Sequence, residues 1–429
     1  MRKIKVGVIG LGTVGTGVVK ILQSNRALIS RRLGAILTLV RVADLDPEKA
    51  RRLNLSRELL TGDAQSLIED PEIDIVVELI GGIEPAATYV TEALRRGKIL
   101  VTANKALLAE RGKSLFRLEE KCLRNILYEA SVGGGIPIIR SLREGLAANN
   151  ITSLLGIING TSNYILTRMQ EEGKSLPAAL KEAQEKGYAE PDPTLDLEGG
   201  DSAHKLVILA SLAFGGWIDL KKVYVEGIGE ITHDDIVFTG ELGYAVKLLA
   251  IAKQTSSGVE ARVHPTLLPR GHLLASVRGI FNAIYVRGDY CGQNIFYGEG
   301  AGQGPAASSV VADLMEAARR IAFGSGYLPS SFQSNVGLKV RPFGKTECAH
   351  YIRVPAEDRP GVLGKVARIL AAHDISIASV IQRGRKKKGV VPVIFMTHRA
   401  KEEALQKACR RIGELPVVHG NPLRLRVEE

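Results

Sequence analysis

Ile4-Lys5-Val6-Gly7-Val8-Ile9-Gly10-Leu11-Gly12-Thr13-Val14-Gly15 is the stretch that decides the fold. Mostly β-branched apolar residues from Ile4 to Ile9 predict a buried strand. Gly10, Gly12 and Gly15 follow at GxGxxG spacing, and Val18, Val19, Ile21 and Leu22 then recur at helical spacing. Strand, glycine turn and helix in that order are the context a dinucleotide site requires. Gly10 permits the tight turn. Gly12 lets a pyrophosphate approach the backbone at the positive end of the helix. Gly15 lets helix and strand pack closely. A glycine-rich turn without a ligand is the plainer reading, but the position directly after the first strand argues against it.

Outward from this stretch the strand–helix alternation continues. Leu37 to Ala43 reads as a second strand, ending at Asp44. Asp44 suits a ribose hydroxyl, as in NAD, whereas Arg51 and Arg52 suit a 2′-phosphate, so the sequence leaves NAD and NADP open. Further strands are expected at 73–79, 99–102 and 126–130, with helices at 85–96 and 106–122. This alternation predicts a parallel, doubly wound α/β sheet. After Gly133-Gly134-Gly135 the character changes. Helices are expected at 137–147, 163–172, 176–186 and 203–214, and strands at 151–158, 223–229, 246–252, 258–263 and 281–287. These describe an α+β second domain with a sheet suited to pairing subunits. A helix over 305–323 is expected to pack back on the first domain. Residues 324–346 carry Gly, Ser and Pro and read as a linker. A βαββαβ pattern follows: strands at 349–356, 375–382, 390–398 and 423–427, helices at 361–372 and 401–412.

Composition narrows the class. The 429 residues are 45% hydrophobic and 24% charged, ordinary for a soluble globular protein with two or three domains. Cys122, Cys291, Cys348 and Cys409 have no metal-ligand spacing and read as free thiols in a reducing compartment. No apolar run is long enough to span a bilayer, and Met1-Arg2-Lys3 with the short run behind it lacks the marks of a signal peptide. The cytoplasm is therefore the expected location. Half of the basic excess in residues 350–429 comes from Arg385-Lys386-Lys387-Lys388. With strand-like segments on both sides and no aromatic neighbours, this run reads as a solvated hairpin loop and not as a nucleic-acid site. His233, beside Asp234 and Asp235, also reads as part of a solvated loop.

Three further segments carry chemistry. Gly187-Tyr188-Ala189-Glu190-Pro191-Asp192-Pro193-Thr194-Leu195-Asp196, with Asp201-Ser202-Ala203-His204-Lys205, gathers acids, a lysine and two rigid prolines ahead of an apolar run. Asp201 and Lys205, at i and i+4, share one face of a helix, and a lysine at the edge of dry protein has an easily shifted pKa. Thr102-Ala103-Asn104-Lys105 ends a strand, on the side of the sheet where ligands bind. Asn159-Gly160-Thr161-Ser162-Asn163-Tyr164 opens a helix whose N–H groups suit an anion.

Together these motifs closely resemble homoserine dehydrogenase over residues 1 to about 325, and the final 80 residues resemble an ACT regulatory domain. The resemblance implies NAD(P)-dependent interconversion of L-aspartate 4-semialdehyde and L-homoserine, in threonine, methionine and isoleucine biosynthesis. It implies a Rossmann domain over 1–134, a catalytic and dimerisation domain over 135–323, a linker over 324–346 and an ACT domain over 347–429. Lys205 and Lys105 then flank the reacting carbonyl, with Lys205 the proton donor. Glu190 and Asp201 hold the substrate's amino end, Asp196 assists, and Thr161 and Gly160 border the substrate. Thr13, Val14, Lys105, Gly187 and Gly302 match cofactor contacts, beside Gly10, Gly12, Gly15 and Asp44. Glu129, Val132, Gly134 and Ile136 match a structural site for a hard monovalent cation, sodium-like. His204 is read as structural. A homodimer or homotetramer is implied, with threonine the effector expected at the turn from Asp358 to Gly361 of a removable ACT module, pairing through 375–381. No nucleic-acid or membrane partner is expected, and no kinase domain ahead of the first strand. The alternatives are an ACT-bearing dehydrogenase of the 3-phosphoglycerate type, for which no His fits, and a non-catalytic sensor of a dinucleotide and an amino acid.

Overall fold

The computed structural model describes residues 1–329, 333–383 and 389–429, which form two compact units. The first comprises Met1–Gly160, Ala203–Lys221 and Phe281–Lys339; the second comprises Thr161–Ser202, Lys222–Ile280 and Val340–Glu429. The basic run from Arg385 to Lys388 lies outside the described residues.

The first unit opens with β1 (Lys3–Ile9), α1 (Thr13–Ser24), β2 (Ile36–Ala43), β3 (Leu60–Thr61), β4 (Ile75–Glu78), α2 (Ala86–Arg95), β5 (Ile99–Thr102), α3 (Lys105–Cys122) and β6 (Ile126–Leu127). The strands form one parallel sheet in the order β3-β2-β1-β4-β5-β6. Strand order reverses beside β1, so the glycine turn after β1 sits at the switch point, where α/β sheets bind ligands. The expected strand over 126–130 stops at Leu127. Glu129 turns inward there, and its carboxylate accepts the amides of Ile139 and Arg140, both at 2.8 Å. The helix expected over 137–147 is correspondingly broken into Ile138–Arg140 and a wide π-type turn, Ser141–Gly145.

The chain continues through β7 (Ile151–Ile157), α4 (Gly160–Glu172), α5 (Leu176–Glu185), α6 (Gly200–Ala213), β8 (Gly216–Trp217), β9 (Tyr224–Val225), α7 (His233–Glu241), β10 (Tyr244–Thr255), β11 (Gly258–Pro269), β12 (Phe281–Gly288), β13 (Gly292–Glu299), α8 (Gln303–Phe323) and β14 (Gln333–Gly337). In the first unit β12 pairs antiparallel with β7 and β13. The helix α8 does pack back on α1: a Cβ on Gly17 would lie 2.7 Å from Ala307 Cβ, so Gly17 is what lets the two axes approach. In the second unit β10 and β11 form a hairpin of 12-residue strands.

Several elements differ from expectation. The strand β13 was not foreseen, although its residues alternate between half-buried and exposed, the two-residue period of a strand. The segment read as a solvated loop at His233 is the helix α7. Thr232 and Asp235 cap its start reciprocally, and Asp235 is fully buried. The strand expected over 223–229 is only Tyr224–Val225. The linker contains β14, which pairs with β8.

The C-terminal segment runs β15 (His350–Glu357), α9 (Val362–Ala372), β16 (Ile377–Gln382), β17 (Val390–Thr397), α10 (Glu402–Gly413) and β18 (Leu423–Val427), the expected βαββαβ. The sheet order is β16-β17-β15-β18, over a core of Ile352, Val354, Leu370, Phe395, Leu405 and Ile412. This segment is no loose appendage within its unit. The strand β18 pairs parallel with β11, Thr266 opposite Arg426 and Leu267 opposite Val427. Arg426, 2% exposed, bonds to Glu402 at 2.8 Å and Glu226 at 2.7 Å.

Candidate active site

The glycine loop has the shape the spacing predicts. Gly10 takes φ +99°, a conformation that L side chains rarely adopt. A Cβ on Gly15 would lie 2.0 Å from the Gly10 carbonyl oxygen, whereas a Cβ on Gly12 would meet nothing within 4 Å. Gly12 caps α1 without a side-chain bond, and Thr13 and Val14 form its first turn, so that turn presents backbone N–H groups. A cleft of about 430 Å³ opens here, bounded by Gly10, Gly12, Asp44, Lys49, Gly81 and Tyr89. This cradle fits a dinucleotide. Asp44 does more than face it. Its Oδ2 accepts Leu11 N at 2.6 Å and its Oδ1 meets Lys49 Nζ at 3.2 Å. Burial would raise its pKa, but these bonds and one from Asp46 N hold the carboxyl below its usual range. Arg51 pairs with Glu48.

Lys105 is the first residue of α3, at the C-terminal edge of β5. Asn104 caps that helix by accepting Leu107 N at 3.1 Å and donates to Gly82 O at 2.7 Å. Beneath it lies Glu78, fully buried. Glu78 accepts Thr102 Oγ1 at 2.7 Å and Ile80 N at 2.9 Å, and burial raises its pKa. Thr102 Oγ1 in turn accepts Asn104 N at 3.0 Å. Glu78 therefore supports the Lys105 turn, a role the sequence reading missed. The available signal was a single acid ending an apolar strand.

Lys205 lies on α6, only 7% exposed, and its Nζ donates to Ile158 O at 2.7 Å. Asp201 is one turn earlier on the same helix and 2% exposed, as the i, i+4 spacing predicts. Gly302, at φ +117°, precedes α8.

In the second unit the segment 187–196 folds onto the first turn of α4. Thr161 Oγ1 donates to Tyr188 O at 2.8 Å, and Ser162 Oγ donates to Asp196 O at 2.8 Å. The rings of Tyr164 and Tyr188 meet edge-on at 5.1 Å. Gly187 turns the chain at φ +72°. Gln184 Nε2 donates to Glu190 O at 3.3 Å, and the Glu190 residue is exposed. Thr161, Gly187, Glu190 and Asp196 are thus brought together. A lysine the sequence reading passed over, Lys247, is buried beside the same turn.

Glu129, Val132, Gly134 and Ile136 lie on one short segment of the first unit, a 3-10 turn over Glu129–Ser131 followed by a turn that Ile136 N closes on Gly133 O at 2.8 Å. Gly134 O accepts Ser309 Oγ at 2.6 Å, and Ile136 O accepts Ile138 N at 2.8 Å. Each carbonyl keeps a second lone pair. Glu129 and the fully buried Asp313 stand together, Asp313 Oδ2 accepting Glu129 N at 2.8 Å. Burial and mutual repulsion raise the pKa of Asp313, and burial raises that of Glu129. A carboxylate and carbonyls with free lone pairs are the donor types a hard cation takes, and Arg140, 3.7 Å from Asp313, offsets part of the negative charge.

Comparisons with known proteins agree along the whole chain. The family model "Homoserine dehydrogenase" matches residues 137–315, its "NAD binding domain" matches 10–129, and "ACT domain" matches 350–416. The homoserine dehydrogenase of Pseudomonas aeruginosa is 43% identical, with 100% of each chain covered. The crystal structure of a homoserine dehydrogenase from Thiobacillus denitrificans is 44% identical with a TM-score of 0.95, covering 100% of this chain and 99% of that one. A hyperthermophilic archaeal homoserine dehydrogenase mutant solved in complex with NADPH is 28% identical with a TM-score of 0.64, covering 74% of this chain and 98% of that one.

Proposed function

The chain belongs to the homoserine dehydrogenase family, and from that premise we propose which of its residues perform the reaction. It is an oxidoreductase that interconverts L-aspartate 4-semialdehyde and L-homoserine, with an NAD(P)-binding domain and a C-terminal ACT domain. Membership displaces the sensor and phosphoglycerate-type readings.

The cofactor, when bound, supplies or accepts the hydride at the substrate carbon. The first turn of α1 and the backbone of Gly12 bind the pyrophosphate, with Thr13, Val14, Gly187 and Gly302 as further contacts. As the carbonyl oxygen gains charge, Lys205 Nζ stabilises it and delivers the proton, and Lys105 adds a second positive charge. Glu190 and Asp201 hold the substrate ammonium, with Asp196 beside them. The N–H groups at Gly160 and Thr161 take the carboxylate. One observation carries this reading: Lys205 is an almost fully buried ammonium bonded to a carbonyl, the environment that holds a proton donor dry. The test is Lys205→Ala. Turnover is expected to fall at least about 10²-fold with the dissociation constant for NADPH unchanged; near-normal turnover removes Lys205 from the mechanism.

Glu129 with the carbonyls of Val132, Gly134 and Ile136 would hold a monovalent cation, fixing the turn before Ile138. The proposed division into residues 1–134, 135–323, 324–346 and 347–429 is supported by the three family matches, over 10–129, 137–315 and 350–416. A homodimer or homotetramer is supported by β13, whose outer face exposes Ile295 and Tyr297. L-Threonine is the proposed effector, at the start of α9. Four free thiols support a reducing, cytoplasmic setting.

A further inference from the structure

Lys247 stands in the buried stretch of β10 from Ala245 to Ala252, where every other residue is apolar, and is 2% exposed. Its Nζ donates to Val277 O and to Asn163 Oδ1, the latter at 3.1 Å. Asn163 Nδ2 passes the link on to Gly279 O at 2.9 Å. Thr167 Oγ1 closes it, donating to Asn163 O at 2.7 Å and accepting Gly279 N at 3.1 Å. One lysine therefore straps three elements of the second unit together: β10, the first turns of α4 and the 277–279 turn.

The other buried cations of this unit meet carboxylates: Arg426 meets Glu402 and Glu226, and Arg262 meets Glu260 and Glu428. Lys247 bonds only neutral oxygens, and among the described residues no carboxylate pairs with it. Its charged neighbours are Arg278 and Glu171, which pair with each other at 3.0 Å. Burial, with Arg278 adding to it, brings the Lys247 pKa down to about 8, so the group is still charged at neutral pH. An uncompensated buried ammonium is costly, which points to a use for its charge.

We propose that Lys247 is a positioning residue for the substrate's carboxylate: through Asn163 it fixes the first turn of α4 and adds positive charge beneath the N–H groups of Gly160 and Thr161. Asn163 is three residues beyond Gly160, which is roughly 4.5 Å along the helix axis. The ammonium therefore adds to the positive end of the helix dipole at the place where an anion is taken. The proposal rests on the reading of Gly160 and Thr161 given above, and it assigns Lys247 no contact with the reacting atoms.

The test is steady-state homoserine oxidation by Lys247→Met, with a melting curve, alongside Gly160→Pro, which removes one of the two N–H groups at a first-turn position that proline tolerates. The expected result is a KM for homoserine raised about tenfold, with kcat and the KM for the nicotinamide cofactor held within about threefold. A merely structural lysine would not produce that split. If Lys247→Met does not fold, Asn163→Ala cuts the same strap from the other side and is judged by the same split. A raised homoserine KM in Gly160→Pro with an unchanged one in Lys247→Met overturns this proposal alone. An unchanged KM in both overturns the carboxylate reading of α4, and the proposal with it. A fall in kcat matching any rise in KM overturns the positioning role.

Discussion

Gly12→Ala and Gly15→Ala separate ligand contact from packing within one loop. Gly12 has extended backbone, φ −68° and ψ −163°, and a Cβ there meets no atom within 4 Å. Alanine therefore fits the cofactor-free protein. At a helix N-cap it costs about 0.5 kcal/mol against glycine, and restricting the unfolded chain returns about as much. The melting temperature should move by less than about 2 °C. Gly15 is the opposite case. Its Cβ would lie 2.0 Å from Gly10 O, against a floor of 3.0 Å for real contacts, so loop or helix must shift by about 1 Å. Overpacking of that kind costs about 1–3 kcal/mol, a fall of roughly 2–10 °C. For the cofactor, the added methyl of Gly12→Ala occupies the space a pyrophosphate approaches, which should weaken binding at least about tenfold, or about 1.4 kcal/mol. Gly15→Ala should lose both affinity and stability. The assays are NADPH titration by fluorescence and thermal melts without cofactor. Parental NADPH affinity in Gly12→Ala would refute pyrophosphate contact at Gly12, and a parental melting temperature in Gly15→Ala would refute the packing argument.

Glu190→Gln should raise the KM for homoserine roughly five- to tenfold with little change in kcat, because it removes a charge felt equally in ground and transition states; depressed turnover at unchanged KM would instead give Glu190 a chemical role. Lys247 makes stability depend on pH with a defined sign. Its folded pKa of about 8 lies below the usual 10.5, so the unfolded chain holds that proton more tightly. The fold is penalised below pH 8 and recovers as pH rises towards 10.5, by up to about 3 kcal/mol. The melting temperature of the parent should therefore rise relative to Lys247→Met between pH 8 and 10, and parallel curves would count against a charged Lys247. L-Threonine should inhibit the full-length enzyme. Gly361, at φ +88° before α9, has open space around its Cβ position, so Gly361→Ala strains the turn by about 1 kcal/mol. It should raise the inhibitory concentration of threonine several-fold without altering uninhibited turnover. An enzyme insensitive to threonine, methionine and isoleucine alike would leave the ACT segment an assembly role only.

The glycine spacing, the strand and helix periods of the dinucleotide domain and the βαββαβ tail were legible because each is local: a φ a glycine must take, or a repeat of 2.0 or 3.6 residues. Lys205 and Asp201 were legible for the same reason, since one helix fixes their relation. The helix α7 escaped notice although its cap residues, Thr232 and Asp235, stand plainly in the sequence. Asp235 is fully buried because Tyr351 and Arg353, more than a hundred residues away, bond to it. The sequence alone determined the class of fold, the order of the main elements in the dinucleotide domain and the βαββαβ tail, and the residue types available for hydride and proton transfer. Only the tertiary structure decided that Asp44 clamps Leu11, that Glu78 lies beneath Lys105, that β18 joins β11, and that Lys247 is held dry against Asn163. Three of these are charged groups tolerable only once distant segments close around them, the fourth is a strand edge paired by a distant strand, and a local pattern carries no record of which segment that will be.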